Sequence, residues 1–437
     1  MKCVILAAGQ GRRLKRSDSK PLTSLLGLPL IERTMRTAME GGVTGFVVVT
    51  GYQAERVSTF VRALGERLQV EVTTVNNPDW EHRENGCSLL CARPYLQQAP
   101  FLLTMADHLF EADTVRRLLG ASLPEGGILL ACDHHRCNPL VDLEDVTRLR
   151  VDTHSGAIQA IGKGLADYNA FDTGLFLCAP GFLDRLQEAI DAGDSTLSGA
   201  VRRLADQGQA RTLDVSGAFW IDVDDDAAFR RAEEALLGLA RGKERDGPVS
   251  RYLNRPLSAR LSKRLAYTGL TPNQISLLSF GLSLLGAALM LIPHYWGLLL
   301  GGILAQGASI VDGCDGEIAR LKHQQSDYGG WLDAVLDRYS DALLLTALAL
   351  HCWQIGTPAA IPIGFLAVTG ALVLSYTADK YDGLMRDKGG SRFRLGRDLR
   401  LLVIALGALF NLPLTTLVVI ATTMNGEAIR RMVVCRG

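Results

Sequence analysis

Beyond about residue 270 the chain runs in long apolar stretches, and aspartates fall inside or at the edge of them. Six spans can be drawn, roughly 275–295, 296–312, 331–353, 358–377, 398–412 and 413–432. Several lie close to the ~17-residue minimum for a membrane helix. Lipid offers no partner to an unpaired amide, so spans of this kind must fold as helices. The turns between them alternate in charge. His294-Tyr295, residues 354–360 and Asn411-Leu412-Pro413 carry no Lys or Arg. The opposite set carries Arg320 and Lys322, then Lys380, Arg386, Lys388, Arg392, Arg394, Arg397 and Arg400, then Arg430, Arg431 and Arg436. The positive-inside rule converts this alternation into six helices with both chain ends cytoplasmic. Upstream, Leu253, Leu257, Leu261 and Leu265 recur every fourth residue among Arg251, Arg255, Arg260, Lys263 and Arg264. That pattern predicts a helix lying in the membrane interface with its basic face towards anionic headgroups.

The first 235 residues have a different texture. Short β-branched runs at Lys2–Ala8, 45–50, 70–75, 101–105 and 127–131 alternate with amphipathic stretches near 29–41, 53–66, 111–120 and 181–190. The alternation predicts a three-layer α/β domain with a largely parallel sheet. The charged, Gly-bearing segment 238–248 reads as the linker between domains 1–237 and 249–437. Acidic and basic side chains balance at 46 each, which excludes a dominant nucleic-acid-binding surface. The cluster Cys132-Asp133-His134-His135-Arg136-Cys137 lacks a second ligand pair, so its cysteines read as free thiols rather than a metal knuckle. No basic segment with a long apolar core opens the chain, so no signal peptide is expected.

Two constellations carry chemistry. Asp312 and Asp315 are three residues apart, and Asp333, Asp337 and Asp341 follow one another at four, so each set shares one helical face. Carboxylates at membrane depth are costly unless paired or metal-bound, and an acidic helix pair without catalysis is the weaker alternative. Hard oxygen ligands suit one or two Mg²⁺ or Mn²⁺ on a pyrophosphate, with one carboxylate left to take a proton from an attacking hydroxyl. Gly316 and Gly329 suit a close approach of backbone to a nucleotide. The whole pattern, D-x2-D-G-x2-A-R-x8-G-x3-D-x3-D with Thr271-Pro272-Asn273 upstream, resembles the signature of the CDP-alcohol phosphatidyltransferases. The resemblance implies that Asp312, Asp315 and Asp333 hold metal and that Asp337 is the general base, also close to metal. It also places Gly316, Arg320 and Gly329 at the nucleotide.

In the N-terminal half the strand Cys3–Ala8 enters Gly9-Gln10-Gly11-Arg12-Arg13-Leu14. Leu14 stands where a dinucleotide fingerprint needs a third glycine, and the Gly-Lys-Ser/Thr of a P-loop is absent. What remains is a loop able to wrap a triphosphate with its amides, followed by Lys20-Pro21. The run Leu6-Ala7-Ala8-Gly9-x-Gly11 with Arg13, Leu14 and Lys20 resembles the sugar-phosphate and polyol-phosphate nucleotidyltransferases. That resemblance implies a metal-binding Asp107, a second metal carboxylate at Asp222 or Asp224, and an acceptor-phosphate contact at Lys163. It also implies base recognition by a stretch containing Asn85 and Ser88. Lys20 and Arg13 would offset charge developing in the transition state. His108 reads as a packed neighbour of Asp107 rather than a ligand.

Both halves in this order resemble the bifunctional CTP:inositol-1-phosphate cytidylyltransferase/di-myo-inositol-phosphate phosphate synthases. The fold expected is therefore a Rossmann-like α/β nucleotidyltransferase domain followed by an all-α polytopic membrane domain of six transmembrane helices. The resemblance implies CTP and a small polyol phosphate as substrates, Mg²⁺ or Mn²⁺ at both sites, a lipid bilayer around the C-terminal half and a homodimer through it. Arg far outnumbers Lys, unlike the Lys/Glu-rich composition of hyperthermophile proteins. Another polar alcohol phosphate, or a lipid alcohol as the final acceptor, therefore stays as an alternative. A transporter with a regulatory nucleotide domain is a further one, weakened because the last three spans do not repeat the aspartate pattern.

Overall fold

The computed structural model describes residues 1–15, 19–96, 98–241, 249–385 and 396–436. The chain divides into two units, Met1–Ala235 and Leu236–Gly437. Helix Asp226–Ala240 continues through the start of the expected linker, and residues 242–248 lie outside the described residues. So do four of the loop cations, Arg386, Lys388, Arg392 and Arg394.

In the N-terminal unit strand Lys2–Ala7 is buried almost end to end, as a Cys-Val-Ile-Leu-Ala run must be when both sheet faces are covered. It pairs in parallel with Gly45–Thr50 on one side and Phe101–Met105 on the other. Glu71–Asn76 extends the sheet in parallel beyond Gly45–Thr50. On the other flank the sheet turns mixed, because the nine-residue strand Ala170–Cys178 runs antiparallel to Phe101–Met105, Ile128–Asp133 and Arg148–Val151. Two apolar clusters, one on each face, fill the layers. Met35, Val57, Val61, Val115 and Leu118 come from helices on one side; Leu186, Val201 and Leu204 come from helices on the other. Strand order reverses at Lys2–Ala7, and α/β sheets open a ligand crevice at the carboxyl ends of strands at such a point.

The C-terminal unit is helical. Six of its helices, Pro272–Met290, Tyr295–Leu321, Asp327–Gln354, Ala360–Tyr376, Arg397–Leu409 and Pro413–Arg436, coincide with the six apolar stretches. Among the described residues, only Pro272–Met290 and Tyr295–Leu321 are long and apolar enough to cross a membrane by length and composition; Ala360–Tyr376 is apolar but shorter. Tyr295–Leu321 runs nine residues past the span expected to end at Asp312, so Asp312 and Asp315 lie within a continuous helix. The helix entry at Thr271 is fixed by a capping box. Thr271 Oγ1 accepts from Gln274 N (3.3 Å) while Gln274 Oε1 accepts from Thr271 N (3.0 Å).

The predicted interfacial helix forms over Arg255–Leu265. Together with the preceding helical turn Ser250–Asn254 it buries a face of small polar residues, Asn254, Ser258 and Ser262 with Ala259, and Leu253 and Leu257 stand outward. Ser258 Oγ donates to Glu317 Oε1 at 2.7 Å and Asn254 Nδ2 donates to Ser309 Oγ at 3.0 Å, so polar contacts hold this helix against Tyr295–Leu321.

Candidate active sites

At the sheet crevice the loop after Lys2–Ala7 turns at Gly11, whose φ is +65°. A side chain there would come within 2.5 Å of Lys20 Cβ, so glycine is required both for the turn and for the seat of Lys20. Leu6, Ala7, Gly9, Gly11, Arg13, Lys20, Pro21, Ala106, Asp107 and Asp224 line one cavity of the unit. Ala8 stands beside it, its carbonyl accepting from Tyr52 N at 2.9 Å. A second cavity, which shares Arg13, Asp107 and Asp224, is walled by Asn85, His108, Asp142, Asp145, Lys163, Asp172, Trp220 and Asp222.

A two-stranded pairing joins what is distant in sequence. His108–Phe110 runs antiparallel to Trp220–Asp222 with Asp222 opposite His108, and Val223 N donates to Asp107 O at 3.1 Å. Charges then alternate along one line. Lys163 Nζ donates to Asp145 (2.6 Å) and Arg13 Nη2 to Asp145 (2.8 Å) and Asp224 (2.6 Å). Lys20 Nζ joins Asp224 and Asp107, and His108 Nδ1 lies 2.9 Å from Asp107 Oδ1 and 3.8 Å from Asp222 Oδ1. Burial opposes charge on Lys20, yet Asp107, Asp222 and Asp224 together hold its ammonium above the ordinary range. Burial likewise opposes the His108 imidazolium, but Asp222 and Asp107 raise it to about 9. Burial pushes the Asp222 carboxyl up, against the pull of His108.

One oxygen of this cluster is orphaned. Asp222 Oδ1 is buried without a hydrogen-bond partner among the described residues, and it sits with Asp107 and His108 so that one ligand atom from each lies within 4.8 Å of the others. Such a set fits a divalent cation through its two carboxylates, and His108, read from sequence as a packed neighbour, could join them only by giving up its proton to the solvent. Asp224 instead pairs with Lys20 and Arg13. Asn85 opens helix Asn85–Cys91 beside the second cavity and accepts from Leu197 N at 3.0 Å. Ser88 is buried, accepts from Asn77 Nδ2 at 2.9 Å and is not among the residues lining either cavity.

Gly174 closes the far wall at φ +75°, and a Cβ there would penetrate the His108 ring. Gly174→Ala is therefore expected to lower stability by about 1–3 kcal/mol and to displace His108 from Asp107. Thermal unfolding of the purified chain with and without divalent cation measures both, since a displaced imidazole would also diminish any stabilisation by the ion.

In the helical unit Asp312, Asp315 and Asp333 bring one carboxylate oxygen each within 4.8 Å of the others. Ser279 Oγ donates to Asp312 Oδ1 at 3.2 Å and Ser276 Oγ to Asp315 Oδ2 at 2.5 Å, with Gly316 N donating to Asp315 Oδ1. Arg397 Nη1 bridges Asp312 Oδ2 (2.9 Å) and Asp337 Oδ1 (2.5 Å) while its Nε lies 3.5 Å from Asp341. Arg400 Nη2 fixes the other Asp341 oxygen at 2.6 Å. Three facing carboxylates with hard oxygen donors fit a Mg²⁺-class ion. Arg320 lies one turn beyond Gly316, its guanidinium 3.2 Å from where a Gly316 Cβ would stand. Gly329 N donates to Ser326 Oγ at 3.0 Å, capping the Asp327–Gln354 helix that carries Asp333 and Asp337.

Sequence reasoning gave no role at either site to Arg397, Arg400, Ser276, Ser279 or Asp145. The i,i+3 spacing of Ser276 and Ser279, and of Arg397 and Arg400, puts each pair on one helical face but gives no signal of what that face meets. Asp145 sits in an irregular loop and left none.

Residues 3–181 match the MobA-like NTP transferase domain family, and residues 269–427 match the CDP-alcohol phosphatidyltransferase family. The chain is 41% identical over 436 residues to a bifunctional IPC transferase and DIPP synthase of Rubrobacter xylanophilus, covering 98% of this chain and 95% of that one. A protein of the same description from Aquifex aeolicus is 32% identical, covering 97% and 95%. The N-terminal half also resembles the structure of the inositol-1-phosphate CTP transferase from T. maritima, at 26% identity and a TM-score of 0.48, covering 53% of this chain and 93% of that one.

Proposed function

We propose, because this chain belongs to the bifunctional IPC transferase and DIPP synthase family, a division of residues between two consecutive transfers. In the first, a phosphate oxygen of inositol 1-phosphate attacks the α-phosphorus of CTP, and diphosphate leaves as CDP-inositol forms. In the second, a hydroxyl of another inositol 1-phosphate attacks the inositol-bearing phosphorus of CDP-inositol, and CMP leaves. The observation that carries this division is the pairing of two separate carboxylate clusters, each with its own cations, in one chain matched end to end by its relatives.

In the first site the Gly9–Gly11 loop cradles the triphosphate with its amides, Lys20 neutralises charge gathering on the leaving diphosphate, and Arg13 offsets charge developing where the acceptor meets the α-phosphate. Arg13 and Lys163 receive the acceptor phosphate. Asn85 lies where it can read the base, while Ser88 of the same helix is held in the core by Asn77. In the second site Ser276 and Ser279 orient Asp315 and Asp312, and Asp337 takes the proton of the attacking hydroxyl. Gly316, Arg320 and Gly329 frame the nucleotide. Asp107 with Asp222, joined by His108 only once it has given up its proton, and Asp312 with Asp315 and Asp333 would hold Mg²⁺ or Mn²⁺, which supplies charge neutralisation of the diphosphate when bound.

The C-terminal unit belongs in the membrane. Six spans with cytoplasmic ends are supported by the charge alternation of the loops and by large apolar side chains facing outward, among them Leu278 at 54% and Phe365 at 71% exposure. Outward leucines on the Arg255–Leu265 helix agree with an interfacial placement. A homodimer through this unit is part of the same proposal. Domain limits of 1–237 and 249–437 are kept, with the linker between.

Purified chain given CTP, Mg²⁺ and inositol 1-phosphate should release diphosphate and then CMP, with a phosphorylated di-inositol phosphodiester as the product by mass. CDP-inositol without CMP release, unless a lipid alcohol is added, would instead favour phospholipid synthesis.

A further inference from the structure

We propose that Asp145 occupies the place of the acceptor phosphate in the ligand-free first site, and that this internal carboxylate selects for phosphate monoester dianions. The inference rests on the assignment of Arg13 and Lys163 to that phosphate.

Arg13 comes from the loop after the first strand and Lys163 from the loop after strand Ile158–Gly162, 150 positions later in the chain. They converge on the two oxygens of a single carboxylate: Arg13 Nη2 donates to Oδ2 at 2.8 Å and Lys163 Nζ donates to Oδ1 at 2.6 Å. That is the arrangement two cations would make with two oxygens of a phosphate. Asp145 lines the second cavity together with Arg13 and Lys163, so all three face the same space. Both cations are well exposed, Arg13 at 57% and Lys163 at 62%, whereas Asp145 is at 27%. Exposed pairs of this kind hold weakly, so the exchange is accessible.

The exchange is also selective. A phosphate monoester carries nearly two charges at neutral pH against the single charge of Asp145, so it can displace the carboxylate. A phosphodiester, a carboxylic acid or an uncharged polyol brings no such advantage. Asp145 lies in a tight turn in which Val146 N donates to Asp142 O at 2.9 Å and Arg148 Nη2 donates to Leu143 O at 2.8 Å. The turn is held at its ends, and the carboxylate can swing outward without unmaking those bonds.

The test uses the full chain and first-step diphosphate release. Asp145→Asn keeps the shape and removes the competing charge, so KM for inositol 1-phosphate should fall about three- to tenfold, the scale of two exposed ion pairs. Competitive inhibition by inorganic phosphate should tighten by a similar factor, and Asp145→Ala should move both the same way. Lys163→Met should raise the same KM. If Lys163→Met raises it while both Asp145 variants raise it or leave it unchanged, Asp145 is no stand-in and this proposal falls. If Lys163→Met has no effect on it, the assignment of the acceptor phosphate falls, and the role of Asp145 with it.

Discussion

Replacing Asp337 by Asn is expected to slow CMP release from CDP-inositol by about 10²–10⁴-fold, the usual contribution of a positioned general base, while diphosphate release from CTP continues. The substitution is isosteric, and the Asn side-chain oxygen can still accept from Arg397, which holds Asp337 Oδ1 at 2.5 Å. The second oxygen faces Arg338 at 3.4 Å, a long contact that leaves it able to accept a proton. What the variant loses is therefore basicity rather than shape. Asp341 supplies the comparison. It lies one turn further along the same helix and is gripped by Arg397 (3.5 Å) and Arg400 (2.6 Å). Asp341→Asn should disturb how Arg397 is held and slow the step less than Asp337→Asn. Both variants keep the N-terminal machinery, so their diphosphate release checks the amount of active N-terminal unit, and thermal unfolding of the purified variants checks the helical unit. CMP release at the wild-type rate from Asp337→Asn would move the base to another carboxylate.

The helical half of that site was legible because its spacing is local. Offsets of three and four put Asp312 with Asp315, and Asp333 with Asp337, on common faces whatever the tertiary structure does. Arg397 was not legible as a site residue. It lies 60 positions after Asp337 and begins an apolar span, where a cation reads equally well as a topology signal. Its meeting with Asp312 and Asp337 is set by how helix Arg397–Leu409 packs, which no local period encodes. Ser276 and Ser279 looked like small residues tolerated in an apolar helix, and only their facing Asp315 and Asp312 gives them a task.

The same division holds in the N-terminal unit. The parallel core strands and their helices were readable from alternating periods. The antiparallel flank around Ala170–Cys178 was not, because strand direction depends on connections rather than on composition. Asp107 could be placed at a strand end, but the different surroundings of Asp222 and Asp224 depend on the pairing of His108–Phe110 with Trp220–Asp222. That pairing sets Asp222 beside His108 and leaves Asp224 to the cations.

Lys20→Met should reduce diphosphate release by about 10²–10³-fold, the cost of removing one preorganised donor from developing charge. CMP release from supplied CDP-inositol should persist. The variant has a second signature, in stability. Lys20 is 9% exposed and pairs with both Asp107 and Asp224, so its loss leaves two partly buried carboxylates facing each other. Removing one partner of such an arrangement costs about 3 kcal/mol in the absence of ligands. A divalent cation can neutralise those carboxylates in place of the ammonium, so added Mg²⁺ should recover more stability in the variant than in the wild type. The pH dependence follows from the directions of the shifts. Lys20 is raised in the fold, so its contribution is complete below the ordinary lysine value of 10.5 and fades as pH rises through its folded value. Asp107 is lowered, as Lys20 and His108 outweigh burial, so its contribution is present above the ordinary aspartate value of 3.8 and is lost as pH falls further. Between those limits the wild type should unfold at a higher temperature than Lys20→Met, and the gap should narrow towards either end. A variant whose melting temperature matched wild type across that window would mean that Lys20 is held by packing alone. Unaltered diphosphate release would then remove it from the triphosphate site.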